Sequence, residues 1–139
     1  MNIEKLQEFS SECEIKDGKL VIKSNLLKTL SFIKESYKFE ILKEIIAVDC
    51  GEYIELIYNL FSSEHEENVL VSINVKESIE SITSLFDSAV ADEREIYDLF
   101  GVKFVGHEDL KRLYMPEGWN GHPLKKDYSI NDSRLDWNE

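Results

Sequence analysis

The chain has 139 residues, 42% of them hydrophobic, which is enough to bury a core in one domain without disulfides or metals. Its 28 acidic side chains outnumber 16 basic ones for a net charge of −12, a field that works against direct binding of nucleic acid or an anionic membrane. Its two cysteines, Cys13 and Cys50, match no zinc or iron–sulfur spacing and read as small buried residues in a reducing compartment.

Residues 1–9 read as a short helix or a frayed terminus. They lack the basic and apolar regions of a signal peptide, and no apolar run approaches the ~18 residues that cross a bilayer. A soluble, cytoplasmic protein is expected, which leaves docking on a membrane complex through another subunit open. Glu12 to Ile22 predicts a hairpin about the Asp17-Gly18 turn. A helix is expected over 25–37, capped by Ser24, with Leu26, Leu27, Leu30 and Ile33 on its apolar face.

Three strands should follow, over 41–49, 53–62 and 68–76. Alternation places Ile54, Leu56, Tyr58 and Leu60 on one face, and Val69, Val71, Ile73 and Val75 on another. Their short connections predict an antiparallel meander. Two short helices are then expected. One is capped by Ser78 and buries Ile79, Ile82, Leu85 and Phe86. The other is capped by Asp92, runs over 93–100 and stops at Gly101. Leu113 to Met115 should be a short extended piece. The fold class is α+β: an antiparallel-rich sheet of a hairpin plus a three-strand meander, with helices on one side and an irregular C-terminal segment.

Residues 93–128 concentrate the unusual chemistry. They hold both prolines, four of the six glycines and two of the three histidines. Gly and Pro fix loop shapes, and charged or aromatic residues on a fixed loop usually meet something. Arg94 and Asp98 stand four apart and are expected to pair along the helix. Phe104 should pin the loop to the core. Between Lys103 and Lys126 five basic residues face three acidic ones, which reads either as chance or as a positive face for an acidic partner. His107 and His122, with Asp109 and Glu117, invite a metal or proton-transfer reading. A hydrogen-bonded turn explains His107 more simply, and the spacing matches no metal motif. Trp119, after Gly118, reads as a packing or interface anchor. Pro123 holds His122 extended.

These residues also form an ordered string. Glu93-Arg94-Glu95, Asp98, Leu99-Phe100, His107, Lys111 and Leu113-Tyr114 are followed by the run Pro116 to Tyr128, PEGWNGHPLKKDY. The string resembles the signature of the respiratory complex I 30 kDa subunit family. Lys125 stands where that family usually has Arg, and the sequence is short for the bacterial subunit. The resemblance implies one such domain over 1–128; the polar composition of 129–139 leads us to expect a tail that is disordered alone. It implies a non-catalytic peripheral-arm subunit of a complex I-like NADH:quinone oxidoreductase, packed on a hydrogenase-like large subunit and near an iron–sulfur small subunit. An equivalent subunit of an energy-converting membrane-bound [NiFe] hydrogenase is the alternative, and a free-standing interaction module a further one. No cofactor of its own is implied, since the clusters belong to partner subunits. The residues expected at the partner interface are Arg94, Lys103, His107, Lys111, Arg112, Trp119, His122, Lys125, Lys126 and Tyr128.

Overall fold

In the computed structural model, which describes residues 13–112, 114, 115, 119 and 121–125, the Asp17-Gly18 pair turns the chain between β1 (Glu14–Lys16) and β2 (Lys19–Ile22). Both turn residues have positive φ, 54° and 75°, as a tight two-residue hairpin requires. Helix α1 (Leu26–Ser36) follows and buries Leu26, Thr29, Leu30 and Ile33. Its N-cap is Asn25, in the left-handed region, rather than Ser24, and no side chain of the cap residue closes the helix. Glu80, 53 positions away, instead accepts a hydrogen bond from the free Leu27 N–H at 3.3 Å.

The meander forms as the alternation predicts. Strands β3 (Ile41–Asp49), β4 (Ile54–Ser62) and β5 (Glu67–Val75) pair antiparallel in sequence order. The whole sheet runs β1-β2-β5-β4-β3. One joint differs from a purely antiparallel plan, because β2 pairs with β5 in parallel. The intervening α1, β3 and β4 provide a connection long enough for that crossover. Inward side chains of the sheet, among them Leu20, Leu56, Tyr58, Leu60 and Ile73, join Leu30 and Ile33 of α1 in one core. Helix α2 (Ala89–Phe100) adds Ala89 and Ile96 to the same cluster, so both helices lie on one face of the sheet.

The helix expected after Ser78 is absent. Ser78–Glu80 is strand β6, and it pairs in parallel with β7 (Lys103–Val105). Ile82 and Phe86 are buried, but one turn carries them, closed by the Phe86 N–H on the Ile82 carbonyl at 3.0 Å. A distant strand partner outcompetes the local periodicity here. Helix α2 starts at Ala89, so Asp92 sits in its first turn rather than at its cap.

Strand β3 is a sheet edge, and α2 covers part of it. The Ser88 hydroxyl donates to the Leu42 carbonyl at 3.1 Å, and the Asp92 carboxylate accepts from the Ile45 N–H. Lys43 falls at an irregularity in the ladder between Leu42 and Glu44. Side-chain caps and bulges of this kind blunt an edge against further strand pairing. Cys13 is buried as expected, whereas Cys50 is exposed in the β3–β4 turn.

Candidate functional site

Helix α2 buries two acids on different faces: Glu93 shares the apolar stripe with Ala89 and Ile96, while Asp98, two positions after Ile96, points away from it. Buried carboxylates need partners, and each of these organises a different stretch of the polypeptide.

Glu93 accepts the Ser81 hydroxyl at 2.6 Å and the Ile82 N–H at 2.8 Å. It thereby clamps the segment leaving β6 onto α2. Burial pushes its carboxyl above the ordinary value of 4.5, against the pull of those two hydrogen bonds.

Asp98 organises the segment that follows β7. Its Oδ1 accepts Arg112 Nε at 2.5 Å, and its Oδ2 accepts the backbone N–H groups of Tyr114 at 2.6 Å and Met115 at 3.0 Å. Arg112 Nη2 also donates to the carbonyl of Asp98 at 2.9 Å and to that of Gly121 at 2.7 Å. Arg112 Nη1 donates to the Trp119 carbonyl. One planar guanidinium thus joins the helix to two later points of the sequence, a geometry that suits Arg rather than Lys.

The end of α2 explains why the segment lies here. The last carbonyls of a helix have no partner within it. Gly101 N–H takes the Tyr97 carbonyl at 3.0 Å, and Leu124 N–H takes that of Leu99 at 2.9 Å. Arg112 and His122 Nδ1 share that of Asp98, the latter at 2.9 Å. A donor to a carbonyl must carry the proton, so His122 is protonated on Nδ1. Its ring lies against Gly101, where φ is 83° and an added Cβ would stand 2.7 Å from His122 Cδ2.

His107 is also held internally. Its Nδ1 accepts the Asp109 N–H at 3.1 Å, so its Nε2 carries the proton donated to the Val90 carbonyl at 3.0 Å. Both nitrogens are occupied, and the turn reading describes His107 better than the ligand reading. It borders a cleft of ≈ 340 Å³ with Asp87, Glu108 and Asp109. Among the described residues no three His, Cys, Asp or Glu side chains are grouped to hold a metal.

The residues singled out from the sequence therefore divide. Arg94, Arg112, His107 and His122 brace the segment from inside. Arg94 does not pair with Asp98 along the helix, as its spacing suggested. It donates to the carbonyls of Lys111 at 3.3 Å and Arg112 at 3.4 Å, while Arg112 takes the carboxylate. Trp119 is half-buried, with its carbonyl held by Arg112. Phe104 is buried and pins β7 as expected. Lys103 and Lys111 are exposed, Lys111 lying 3.4 Å from Asp109, and Lys125 is half-buried. Lys126, Tyr128 and Glu117 lie outside the described residues, as does the tail. Tyr114 and Leu124, by contrast, are exposed at 63% and 55% on the braced segment. The organising role of Asp98 was hidden by its position near Arg94. Two positions from Ile96, it lies off the apolar stripe, so helical periodicity carried no signal that it is buried.

The sequence has relatives among known proteins. Residues 20–134 match the family model described as respiratory-chain NADH dehydrogenase, 30 Kd subunit. The sequence is 36% identical to the C subunit of the NADH-quinone oxidoreductase of Moorella thermoacetica, across 92% of its own length and 93% of that protein. It is 40% identical to NADH-ubiquinone oxidoreductase subunit 9 of Dictyostelium citrinum, across 79% of its own length and 58% of that protein. Its fold is similar to that of one polypeptide in the membrane-bound sulfane sulfur reductase, an archaeal respiratory membrane complex. The TM-score is 0.77 at 23% identity, over 93% of this protein and 84% of that polypeptide. The chain with this braced segment belongs to the respiratory-chain NADH dehydrogenase 30 kDa subunit family.

Proposed function

We propose that this protein is the non-catalytic peripheral-arm subunit of a complex I-like NADH:quinone oxidoreductase. In this reading it docks on the hydrogenase-like large subunit, beside the small subunit that holds an iron–sulfur cluster. The segment around Tyr114 and Leu124 makes the contact. The observation that carries the reading is the division of labour on that segment. Its Arg and His side chains are spent on internal bonds to α2, while Tyr114 and Leu124 stand exposed on backbone held by Asp98 and by the Leu99 carbonyl respectively. A rigid surface with exposed aromatic and aliphatic side chains is what a stable interface uses as anchors. The protein holds no cofactor of its own, and electrons pass through its neighbours. No described helix is long and apolar enough to cross a membrane, and the subunit reaches the cytoplasmic side of the membrane through its partners.

Purification of the native complex through a tag on this protein tests the reading. A hydrogenase-like large subunit and an iron–sulfur subunit should co-purify in equal amount. The paired substitution Tyr114→Asp with Leu124→Asp should lower that yield about tenfold or more. Equal yield from wild type and variant, or the absence of both partners, overturns it.

A further inference from the structure

The two faces of the sheet are unlike. The inner face is filled by α1 and α2, while on the outer face Ile41, Ile46 and Val48 of β3 are exposed at 42%, 39% and 42%. The register gathers them with the next strand, for Ile46 lies opposite Ile57 and Ile41 opposite Phe61. Tyr53, exposed at 37%, extends the row just before β4. The row ends in the middle of the sheet. There Glu55 is bonded to Lys19 at 2.7 Å and to Ser72 at 2.6 Å, so that half of the face closes on itself with polar bonds. Single exposed apolar residues are ordinary, but a contiguous row confined to one half of a sheet marks an interface.

The charges beside the row indicate what covers it. Glu40, Glu44 and Glu52 are exposed next to it. Lys43, the only cation in β3, is held over the Phe61 ring with its ammonium 4.6 Å from the centroid. A second copy would set these acids against themselves, in a protein whose net charge is −12. An added strand is disfavoured too, because Ser88 and Asp92 already occupy the Leu42 carbonyl and the Ile45 N–H on the β3 edge. We propose that the outer face of β3 and β4 docks a different protein subunit, one that presents an apolar surface rimmed by Lys or Arg. This contact is separate from the one made by Tyr114 and Leu124.

The test uses the assembled complex. A photo-crosslinking residue replaces Ile46, and in a second experiment Ile46→Glu and Val48→Glu are combined. These side chains are exposed, so circular dichroism and the melting temperature of the isolated protein should stay near wild type. The expected crosslink joins position 46 to another subunit, within a segment bearing Lys or Arg. The double variant should lower recovery of that subunit about tenfold or more, since an unpaired charge would be buried in the contact. Glu44→Lys should lower it as well, and the salt dependence of binding should weaken. A crosslink to a second copy, no crosslink, or wild-type recovery by the double variant overturns the proposal. The Tyr114→Asp, Leu124→Asp variant runs in parallel. Its loss of the large subunit alongside unimpaired Ile46→Glu, Val48→Glu assembly would sink this second surface and leave the first intact.

Discussion

Arg112 lies 2.5 Å from Asp98 with its side chain 12% exposed, while the Asp98 side chain is fully buried. The pair joins α2 to a segment fourteen residues further on. Removing one partner strands the other. Asp98→Ala should therefore destabilise the protein by roughly 3 kcal/mol, the cost of breaking a buried ion pair. Arg112→Lys should restore only part of what Arg112→Ala loses, since Lys cannot span the Asp98, Trp119 and Gly121 acceptors. Urea denaturation measures both, and an Asp98→Ala loss below about 0.5 kcal/mol would contradict the assignment.

Gly101 and His122 should be coupled. Gly101→Ala forces a side chain into left-handed backbone, costing about 1–2 kcal/mol, and pushes on the His122 ring. In a double-mutant cycle His122→Ala should relieve the second part but not the first. Strict additivity of the two changes would rule out the contact as a source of the loss.

Glu93 should separate the value of its hydrogen bonds from the cost of its charge. Glu93→Ala leaves the Ser81 hydroxyl and the Ile82 N–H unpaired, for a loss of about 2 kcal/mol. Glu93→Gln retains an acceptor and should cost much less. Its carboxyl is raised by burial, so protonation favours the folded state. That contribution is complete below the ordinary value of 4.5 and disappears as pH climbs through the raised value. Stability measured from weakly acidic to neutral pH should fall less steeply in Glu93→Gln than in wild type. Parallel curves would refute this account.

Glu55 titrates with the opposite sign. Hydrogen bonding to Lys19, then to Ser72, holds its carboxyl below 4.5. Its contribution is present above 4.5 and is lost as pH drops through the lowered value. Glu55→Gln should flatten the acid limb of the stability curve and leave neutral stability within about 1 kcal/mol of wild type. An unchanged acid limb would exclude Glu55 as a contributor.

The meander, the hairpin turn and α1 were legible because their signals are local. Alternation over nine residues in β4 and a turn dipeptide with two positive φ values need no distant information. The segment after Ser78 departs from its local periodicity because its fate depends on Lys103–Val105, which pairs with it from beyond α2. The same limit hid the parallel joint between β2 and β5. At the site, the ordered string pointed to residues 93–128 but not to how they divide. Arg94 and Asp98 have ideal helical spacing, yet Asp98 is covered by the segment after β7 and meets an arginine whose approach is set by the turn after that strand. Spacing along one helix carries no information about that competitor.

The closed carbonyl end of α2 also bears on how fast an assembly can form. Tyr97, Asp98 and Leu99 find their donors within the same polypeptide, so Tyr114 and Leu124 are already positioned in the free protein. A partner arriving there meets a finished template, with little ordering entropy left to lose on contact. Encounter is then governed by diffusion and charge steering rather than by a folding step. Loosening Asp98 or Gly101 would reverse that order of events, and slower association would precede any visible weakening of the final complex.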